Sequence, residues 1–301
     1  MILYYALGGG LGHLTRGRRV LETLGLVEAS LVTASAHASD PRVTGGFPVI
    51  RVPTNLERDV EAHRSWLRGL PCDRLIVDTF PCGIQGELSG LDVPMDLVAR
   101  RLRWDEYRRA VPAPLPRFET VWCVEELEPE QATAVSERCD IWSAMALDTA
   151  FGPPASRRLT RGRLARAPAR QPPRPRRFAG LDFWLIVHSG PEEEVRELVA
   201  YAEELRRVAA TQPDRVLVAT RSAFALPPGF EAIDAYPVEH LFPAATRIIS
   251  AAGFNVMLET EPWRDKHDVV PFARTFDDQF WRAARRRGVL SPRMRDTRSS
   301  P

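Results

Sequence analysis

Short apolar runs alternate with amphipathic stretches along the first half of the chain. Uninterrupted apolar runs are typical of strands buried on both faces of a parallel sheet, and the amphipathic stretches have the spacing of covering helices. The predicted strands are residues 1–7, 29–34, 48–52, 74–78, 95–99 and 120–124. The predicted helices are residues 14–24, residues 58–67 and a third that opens at residues 83–88. This order predicts one Rossmann-like domain over residues 1–150.

The pattern changes between Thr149 and Leu181. This segment has no acidic residue, whereas it contains nine arginines and six prolines. Proline interrupts both helices and strands. The segment is therefore interpreted as a linker, or as a long loop beside one, over residues 151–178.

The alternation of strands and helices starts again after this linker. The predicted strands are residues 183–188, 215–220, 232–236, 247–250 and 269–271. The predicted helical segments are residues 191–207, 238–244, 277–287 and one that opens at residues 253–260. A second Rossmann-like domain is predicted over residues 179–301. The predicted fold class is thus α/β, with two Rossmann-like domains that face each other across a cleft.

Composition narrows the functional classes. A chain of 301 residues is long enough for two domains, and 44% hydrophobic with 27% charged residues argues against disorder. The net charge is only +2, which gives no general electrostatic case for binding nucleic acid or a membrane surface. No apolar run approaches the roughly 18 residues of a membrane-spanning helix. We therefore predict no transmembrane segment and no nucleic-acid partner.

The cysteines and the first residues favour a cytoplasmic location. Cys72, Cys82, Cys123 and Cys139 lack the spacing of metal ligands and lie in one half of the chain, as expected of reduced thiols. The first ten residues are apolar, lack a basic start and run into glycines. They predict a buried strand rather than a signal peptide.

A glycine-rich turn joins the first predicted strand to the first predicted helix. It contains Gly8, Gly9, Gly10 and Gly12, and His13 follows it. Glycines allow close approach of a ligand to the backbone amides. The run fits the dinucleotide pattern GxGxxG poorly, because His13 stands where the third glycine belongs. Ligand sites of open α/β sheets lie at the carboxyl ends of strands, so a functional His13 is favoured over a structural one.

A small-residue turn followed by a helix recurs in the second half. Gly253, Phe254 and Asn255 follow the predicted strand 247–250, and their backbone amides suit a phosphate group. Glu259 lies farther along the same helix and can accept hydrogen bonds from a ribose diol. The alternative for Glu259 is a solvated helix carboxylate.

Two further pairs complete the candidate set. Ser189 and Gly190 follow the predicted strand 183–188 and offer amides to a diphosphate. Asp278 and Gln279 open the last predicted helix, where Asp277 can serve as the N-cap. A carboxylate beside an amide offers the paired acceptors and donors that sugar hydroxyls require.

Taken in this order, the motifs resemble the family 28 glycosyltransferases, the group that includes the N-acetylglucosaminyltransferase of peptidoglycan synthesis. That family has a glycine-rich loop ending in Gly-His, then a glycine followed six residues later by glutamate, then a proline followed by Asp-Gln. The segments around Asp78, residues 77–81 and 86–88, also look like relatives of this group. The residues that match the three motifs are Gly8, Gly9, Gly12, His13, Gly253, Glu259, Pro271, Asp278 and Gln279.

The resemblance implies a GT-B fold and inverting transfer of a sugar from a nucleoside-diphosphate sugar, with a UDP-sugar favoured. It implies a bacterial enzyme without an essential metal and without a cofactor beyond this co-substrate. His13 is then the general base, with Gly9, Gly10, Gly12 and Asp78 on the acceptor side. The acceptor stays open between a small molecule, a lipid-linked molecule and a peptide. The implied donor-binding residues are Ser189, Gly190, Gly253, Phe254, Asn255, Glu259, Asp278 and Gln279.

Three alternatives compete with this interpretation. A nucleotide-sugar epimerase or hydrolase of the same fold would use the donor without an acceptor. A catalytically inert relative would bind only a donor or a partner protein. In the third alternative the arginine-rich segment binds nucleic acid or an anionic surface, which ranks last because basic runs are usually solvated and this one lacks interleaved aromatic residues.

Overall fold

The computed structural model describes residues 1–147, apart from Gly9 and Glu57, and residues 182–288, apart from Ala223. These two ranges are called the first lobe and the second lobe below. The predicted linker, residues 151–178, lies outside the described residues, as does Gly9 of the glycine-rich turn.

The first lobe is built on a parallel sheet of seven described strands in the order β3-β2-β1-β4-β5-β6-β7. The strands are β1 Ile2–Tyr5, β2 Ser30–Thr33, β3 Val49–Arg51, β4 Arg74–Asp78, β5 Met95–Ala99, β6 Phe118–Cys123 and β7 Cys139–Ala144. The helices are α1 Leu11–Leu24, α2 Pro41–Thr44, α3 Val60–Arg68, α4 Trp104–Ala110 and α5 Pro129–Ser136.

Both faces of this sheet are buried, as the uninterrupted apolar runs predict. On β1, Leu3 and Tyr5 enter one core cluster, whereas Tyr4 enters another on the opposite face. Helix α1 packs on the Tyr4 face, where a Cβ at Gly17 would lie 2.7 Å from the Tyr4 ring. The glycine therefore allows α1 to lie close to β1, and this contact fixes where the start of α1 sits relative to the sheet.

The second lobe repeats the architecture with a parallel sheet of five described strands in the order β10-β9-β8-β11-β12. The strands are β8 Phe183–Val187, β9 Arg215–Ala219, β10 Phe230–Ile233, β11 Arg247–Ala251 and β12 His267–Val270. The helices are α6 Glu192–Val208, α7 Phe254–Glu259 and α8 Gln279–Arg286, with short 3-10 turns at Glu239–Leu241 and Glu261–Lys266. None of the described helices has the length and apolar character needed to cross a membrane.

Each sheet contains a point where the strand order reverses. In the first lobe β1 lies between β2 and β4, and in the second lobe β8 lies between β9 and β11. At this point the connections leave two neighbouring strands of the same sheet in opposite directions, which opens a crevice at the carboxyl ends of these strands. Such crevices are where ligands bind in open α/β sheets. The glycine-rich turn follows β1, the Ser189–Gly190 turn follows β8, and the Gly253 turn follows β11.

The predicted helix at residues 83–88 is wrong. The segment forms irregular turns, in which Gly83 and Gly86 have positive φ. The buried carboxylate of Glu87 accepts hydrogen bonds from the backbone amides of Ile84 and Gln85. These bonds satisfy the turn amides locally and compete with a helix.

Several boundaries also differ from the prediction, and four of the helices and strands named above were missed. Strand β10 begins and ends earlier than the predicted 232–236, and Tyr236 lies beyond it. Helix α1 begins at Leu11 rather than residue 14, so His13 lies in its first turn. The missed elements are α2, α4, α5 and β7. Strand β7 is an edge strand with most of its residues exposed. An exposed strand lacks the apolar run by which the other strands were found.

Candidate active site between the two lobes

A cavity of about 330 Å³ lies between the two lobes, at the carboxyl ends of β1, β8 and β11. This volume falls in the range of about 300–1,000 Å³ that is typical of small-molecule sites. The predicted site residues that line it are Gly10, Gly12, His13, Ser189, Gly190, Gly253, Phe254, Asn255, Glu259 and Gln279. The structure therefore brings the motifs of both halves into one crevice.

His13 and Asp78 form a hydrogen-bonded pair beneath the cavity. His13 Nδ1 lies 2.6 Å from Asp78 Oδ2. Asp78 is the last residue of β4 and is 2% exposed, whereas His13 lines the cavity. Because β1 and β4 are neighbours in the sheet, the turn after β1 and the end of β4 meet at the same edge.

Two further side chains hold the Asp78 carboxylate. The Tyr4 hydroxyl donates to Oδ1 over 2.7 Å, and Arg16 donates from Nε to Oδ1 over 2.6 Å and from Nη2 to Oδ2. Burial by itself raises the pKa of Asp78, but the Arg16 guanidinium and the contact with His13 outweigh it and hold this pKa well below its usual range. Asp78 is therefore a buried carboxylate ion with fixed partners, and it fixes the imidazole in turn.

The protonation state of His13 follows from this pairing. An ionised carboxylate only accepts hydrogen bonds, so Nδ1 carries the proton and Nε2 is left as the basic nitrogen. Burial lowers the pKa of His13 below 6.5; Asp78 opposes the shift, and the charges of Arg16 and Arg100 add to it. At neutral pH the imidazole is thus neutral and able to take a proton.

Gly8 leaves the space that the His13 ring occupies. A Cβ at Gly8 would lie 2.2 Å from His13 Cδ2 and 2.3 Å from Nε2, closer than non-bonded atoms can approach. By contrast, a Cβ at Gly10 would meet no atom within 4 Å. Among the described glycines of this turn, Gly8 is therefore the one that leaves room for the histidine ring.

The second lobe faces His13 with two turns that follow central strands. One turn contains Gly253, which is the N-cap of α7 and has no side chain to cap the helix. The other contains Ser189 and Gly190, which follow β8. Asn255 Nδ2 donates to the backbone oxygen of Gly12 over 2.9 Å and so joins this edge directly to the start of α1. The two turns predicted to hold a diphosphate thus line the same cavity as His13.

A second histidine–carboxylate pair was not predicted. His188 Nε2 lies 2.7 Å from Glu194 Oε2, and Arg274 forms a two-pronged ion pair with the same carboxylate. Burial lowers the pKa of His188, and Glu194 opposes the shift. His188 and Arg274 both line the cavity. The position of His188 at the end of a predicted central strand was the available signal, whereas the Glu194 contact joins separate elements.

A cluster of ion pairs that joins the two lobes beside the cavity was also missed. Arg19 Nη2 of α1 lies 2.8 Å from Glu239 Oε1 and 2.7 Å from Glu259 Oε1. Burial and the neighbouring charge of Glu259 raise the pKa of Glu239 to about 8, although Arg19 opposes the shift. No short motif marks Glu239, because it meets Arg19 only in the folded chain.

The Asp277–Gln279 segment differs in detail from the prediction. Asp278, not Asp277, is the N-cap of α8, since its carboxylate accepts from the Trp281 amide, and it also pairs with Arg101. Of the described residues that line the cavity, Asp277 is one and Asp278 is not. Gln279 lines the cavity, but its Oε1 accepts from the Phe272 amide.

Asp277 is the aspartate of this segment that lines the cavity. Its carboxylate pairs with Arg100 of the first lobe and with Arg282 of α8. Those contacts hold the pKa of Asp277 well below its usual range against the effect of burial. Within the described ranges, the His, Cys, Asp and Glu side chains form no group of three or more placed to hold a metal ion.

Comparison with known proteins places this geometry in a known fold. No family model and no curated protein matches the chain. Among solved structures, the spinosyn rhamnosyltransferase SpnG complexed with thymidine diphosphate matches with a TM-score of 0.60 and 14% identity, over 96% of this chain and 84% of that one. The fold of this chain is the GT-B fold.

Two further glycosyltransferases support the GT-B fold. SsfS6 of Streptomyces sp. SF2575, complexed with thymidine diphosphate, matches with a TM-score of 0.55 and 15% identity, over 96% of this chain and 85% of that one. SnogD of Streptomyces nogalater matches with a TM-score of 0.52 and 14% identity, over 91% and 82% of the two chains. At these identities the likeness shows the GT-B fold alone.

Proposed function

We propose that the chain is a glycosyltransferase that moves a sugar from a nucleoside-diphosphate sugar to an acceptor hydroxyl or amine. The observation that carries this proposal is the neutral His13, held by Asp78 at a cavity that the Gly253 and Ser189–Gly190 turns of the second lobe also line. A base facing an anion site across a small-molecule cavity is the arrangement that group transfer from a diphosphate requires.

In the proposed reaction, His13 Nε2 removes the proton of the acceptor as the acceptor atom attacks the anomeric carbon. The bond from that carbon to the diphosphate oxygen breaks, and the nucleoside diphosphate leaves with the electron pair. Because attack and departure occur on opposite faces, the anomeric configuration inverts. Asp78 stabilises the imidazolium that forms, as the carboxylate does in other histidine–carboxylate pairs.

The charge of the departing diphosphate has to be neutralised. Backbone amides of the Gly253 and Ser189–Gly190 turns are proposed to donate to it, together with guanidinium groups at the cavity. Arg100, Arg221 and Arg274 all line the cavity. With these cations in place we propose that transfer proceeds without an essential metal, and activity that persists in a chelator such as EDTA tests this point.

The identity of the donor is a finer proposal. The motif resemblance to family 28 glycosyltransferases favours a UDP-sugar, and the solved neighbours in complex with thymidine diphosphate support a nucleoside diphosphate in general. Tyr236 lines the cavity and its hydroxyl lies 2.7 Å from Thr15 Oγ1, so the ring is held where a base could stack on it.

A ligand panel tests the proposal directly. The increase in the unfolding temperature is measured by thermal shift with UDP, thymidine diphosphate, GDP and ADP. The corresponding monophosphates are the controls. A bound diphosphate at 100 times its dissociation constant stabilises the fold by about 2.7 kcal/mol. Stabilisation by at least one diphosphate, well above its monophosphate, is expected. No stabilisation by any diphosphate contradicts the proposal.

Turnover then separates the enzymatic alternatives. Release of nucleoside diphosphate from the matching sugar donor is followed with and without a panel of candidate acceptors. Acceptor-dependent release supports transfer. Equal release in the absence of acceptor indicates a hydrolase or epimerase, and binding without release indicates an inert relative.

A further inference from the structure

The chain makes a sharp turn directly after Asp78. Thr79 has a φ of 69°, and within the described ranges it is the only residue other than glycine with a positive φ. The Phe80 amide donates to the Asp78 backbone oxygen over 2.7 Å, which closes a three-residue γ-turn around Thr79. A γ-turn with positive φ is rare and strained, and a β-branched residue is especially disfavoured in it. Such strain is maintained only where the surrounding contacts impose it, and it concentrates at functional sites.

Two buried arginines meet at the Thr79 hydroxyl. Arg16 Nη2 donates to Oγ1 over 2.8 Å, and Arg100 Nε donates to it over 3.2 Å. A guanidinium group only donates hydrogen bonds, so the hydroxyl oxygen accepts from both and each of its lone pairs is used. Thr79 itself is fully buried. A hydrophobic side chain of the same shape would therefore leave two buried cations without this acceptor.

The two arginines act on different parts of the proposed reaction. Arg16 anchors the carboxylate that orients His13. Arg100 lines the cavity and pairs with Asp277 of the second lobe, and its charge contributes to the lowered pKa of His13. The Thr79 hydroxyl is thus an acceptor shared by the arginine that positions the base and by a cation proposed to neutralise the diphosphate.

We propose that Thr79 is a positioning residue, whose hydroxyl holds Arg16 and Arg100 together so that the base and the cavity cation keep a fixed arrangement. The inference rests on the proposed function, and it adds a residue that is not among the described residues lining the cavity. In the proposed transfer, the base receives its proton while the leaving group gains negative charge. Charged groups that are already in place at that moment need no reorganisation, which is how a fixed arrangement lowers the barrier.

The test compares two substitutions that separate the hydroxyl from the shape of the side chain. Thr79→Val keeps the β-branch and removes the hydroxyl, whereas Thr79→Ser keeps the hydroxyl and removes the methyl group. Thr79→Ala also lacks the hydroxyl and is less crowded in the turn, so it replaces Thr79→Val if that variant does not fold. Thr33→Val is the matched control, because Thr33 is also fully buried and its hydroxyl donates to the Ala6 backbone oxygen. Thermal unfolding without ligand checks that each variant is folded.

Three quantities are measured on the full chain. The turnover number is measured with the sugar donor and acceptor that the turnover panel identifies, and the dissociation constants of UDP and thymidine diphosphate are measured by calorimetry. The pKa of His13 is obtained without any ligand, by NMR titration of the histidine ring signals, with His13→Gln to assign the signal. A residue with a purely structural role would change the stability but not the pKa of the base.

Thr79→Val is expected to lower the turnover number by about 10- to 100-fold, because a displacement of about 1 Å can cost on the order of 10²-fold in rate. The dissociation constant of the diphosphate should change much less, since backbone amides of the second lobe are proposed to hold it. Arg100 is then no longer held close to His13, so the pKa of His13 should rise. Thr79→Ser should keep the wild-type values of both quantities, and Thr33→Val should lower the stability alone.

Two results overturn the inference. One is a folded Thr79→Val variant with the wild-type turnover number and the wild-type pKa of His13. The other is an equal loss of turnover in Thr79→Ser and Thr79→Val, which would assign the effect to the shape of the side chain rather than to the hydroxyl. Absence of binding by any nucleoside diphosphate is a separate result that removes the proposed function, whereas the NMR titration decides the link between Thr79 and His13 independently.

Discussion

His13 Nδ1 and Asp78 Oδ2 lie 2.6 Å apart although 65 positions separate the two residues in the chain. The contact exists because β1 and β4 are adjacent at the strand-order reversal of the first sheet. It leaves Nε2 as the basic nitrogen at the cavity. Most of the predictions below follow from this one relationship.

Replacing His13 by alanine is expected to lower the turnover number by about 10²- to 10⁴-fold, because the acceptor then loses its proton acceptor. Donor affinity should change little, since the diphosphate is proposed to be held by the second lobe. Steady-state kinetics give the first quantity and calorimetry with the nucleoside diphosphate the second. Loss of donor binding together with activity would show that His13 has a structural role.

Replacing Asp78 by asparagine is expected to destabilise the fold as well as to lower the activity. The variant leaves the buried Arg16 without its carboxylate partner, which costs about 3–5 kcal/mol in the free energy of unfolding. Asp140→Asn is the matched control, because Asp140 pairs with Arg117 at the surface and such pairs contribute about 0–1 kcal/mol. Urea unfolding that finds the two variants equally stable would contradict the assigned role of Asp78.

The pH dependence of activity should reflect the lowered pKa of His13. Burial shifts this pKa below 6.5, so the base stays unprotonated at neutral pH and becomes protonated only under more acidic conditions. The ratio kcat/KM is therefore expected to be level near pH 7 and to fall with decreasing pH, reaching half its value below pH 6.5. A midpoint above 6.5 would identify a different base.

The sequence was sufficient to predict the parts of this site that follow buried strands. Uninterrupted apolar runs located β1 and β4, and the rule that ligands bind at the carboxyl ends of central strands singled out His13. Asp78 was placed in the site only by the family resemblance. No local pattern indicates that its carboxylate contacts a histidine 65 residues away. The register between two parallel strands cannot be derived from the sequence of either strand alone.

The contacts across the cleft were beyond sequence analysis for a related reason. Arg19 meets Glu239 and Glu259 only because α1 of one lobe packs against the second lobe. The shift from Asp277 to Asp278 as the N-cap of α8 has a more local cause. Two adjacent aspartates offer the same capping side chain, and only the observed backbone decides between them.

Gly8→Ala should lower activity without removing any polar group. The new Cβ would overlap the His13 ring, so the imidazole must move away from its place against Asp78. A displacement of about 1 Å can cost on the order of 10²-fold in rate. Donor affinity, measured by calorimetry, is the control, because Gly8 is not among the described residues that line the cavity. A kcat/KM equal to that of the wild type would contradict the positioning role of Gly8.

The N-cap role of Asp278 gives a separate prediction. Asp278→Ala removes the hydrogen bond to the Trp281 amide and is expected to lower the free energy of unfolding by about 1 kcal/mol. Since Asp278 does not line the cavity, donor affinity should stay near the wild-type value. Denaturant unfolding and donor titration measure both. A large loss of donor affinity with unchanged stability would support the donor-sugar role that the sequence motif implied.

Acid sensitivity of the fold is expected from His267 of β12. Its buried ring lies 2.8 Å from both the Ser250 and the Thr260 hydroxyl, and burial and the charge of Arg286 lower its pKa to about 3. The unfolded chain binds a proton at this histidine near pH 6.5, whereas the folded chain does not. The contribution of His267 to the free energy of unfolding is thus fully present above about pH 6.5. It declines as the pH falls towards 3, by up to about 1.4 kcal/mol per pH unit. Urea unfolding of His267→Gln across this range should show a shallower decline than the wild type. Some decline should remain, because the pKa values of His13 and His188 are also lowered. Parallel curves would contradict the assignment.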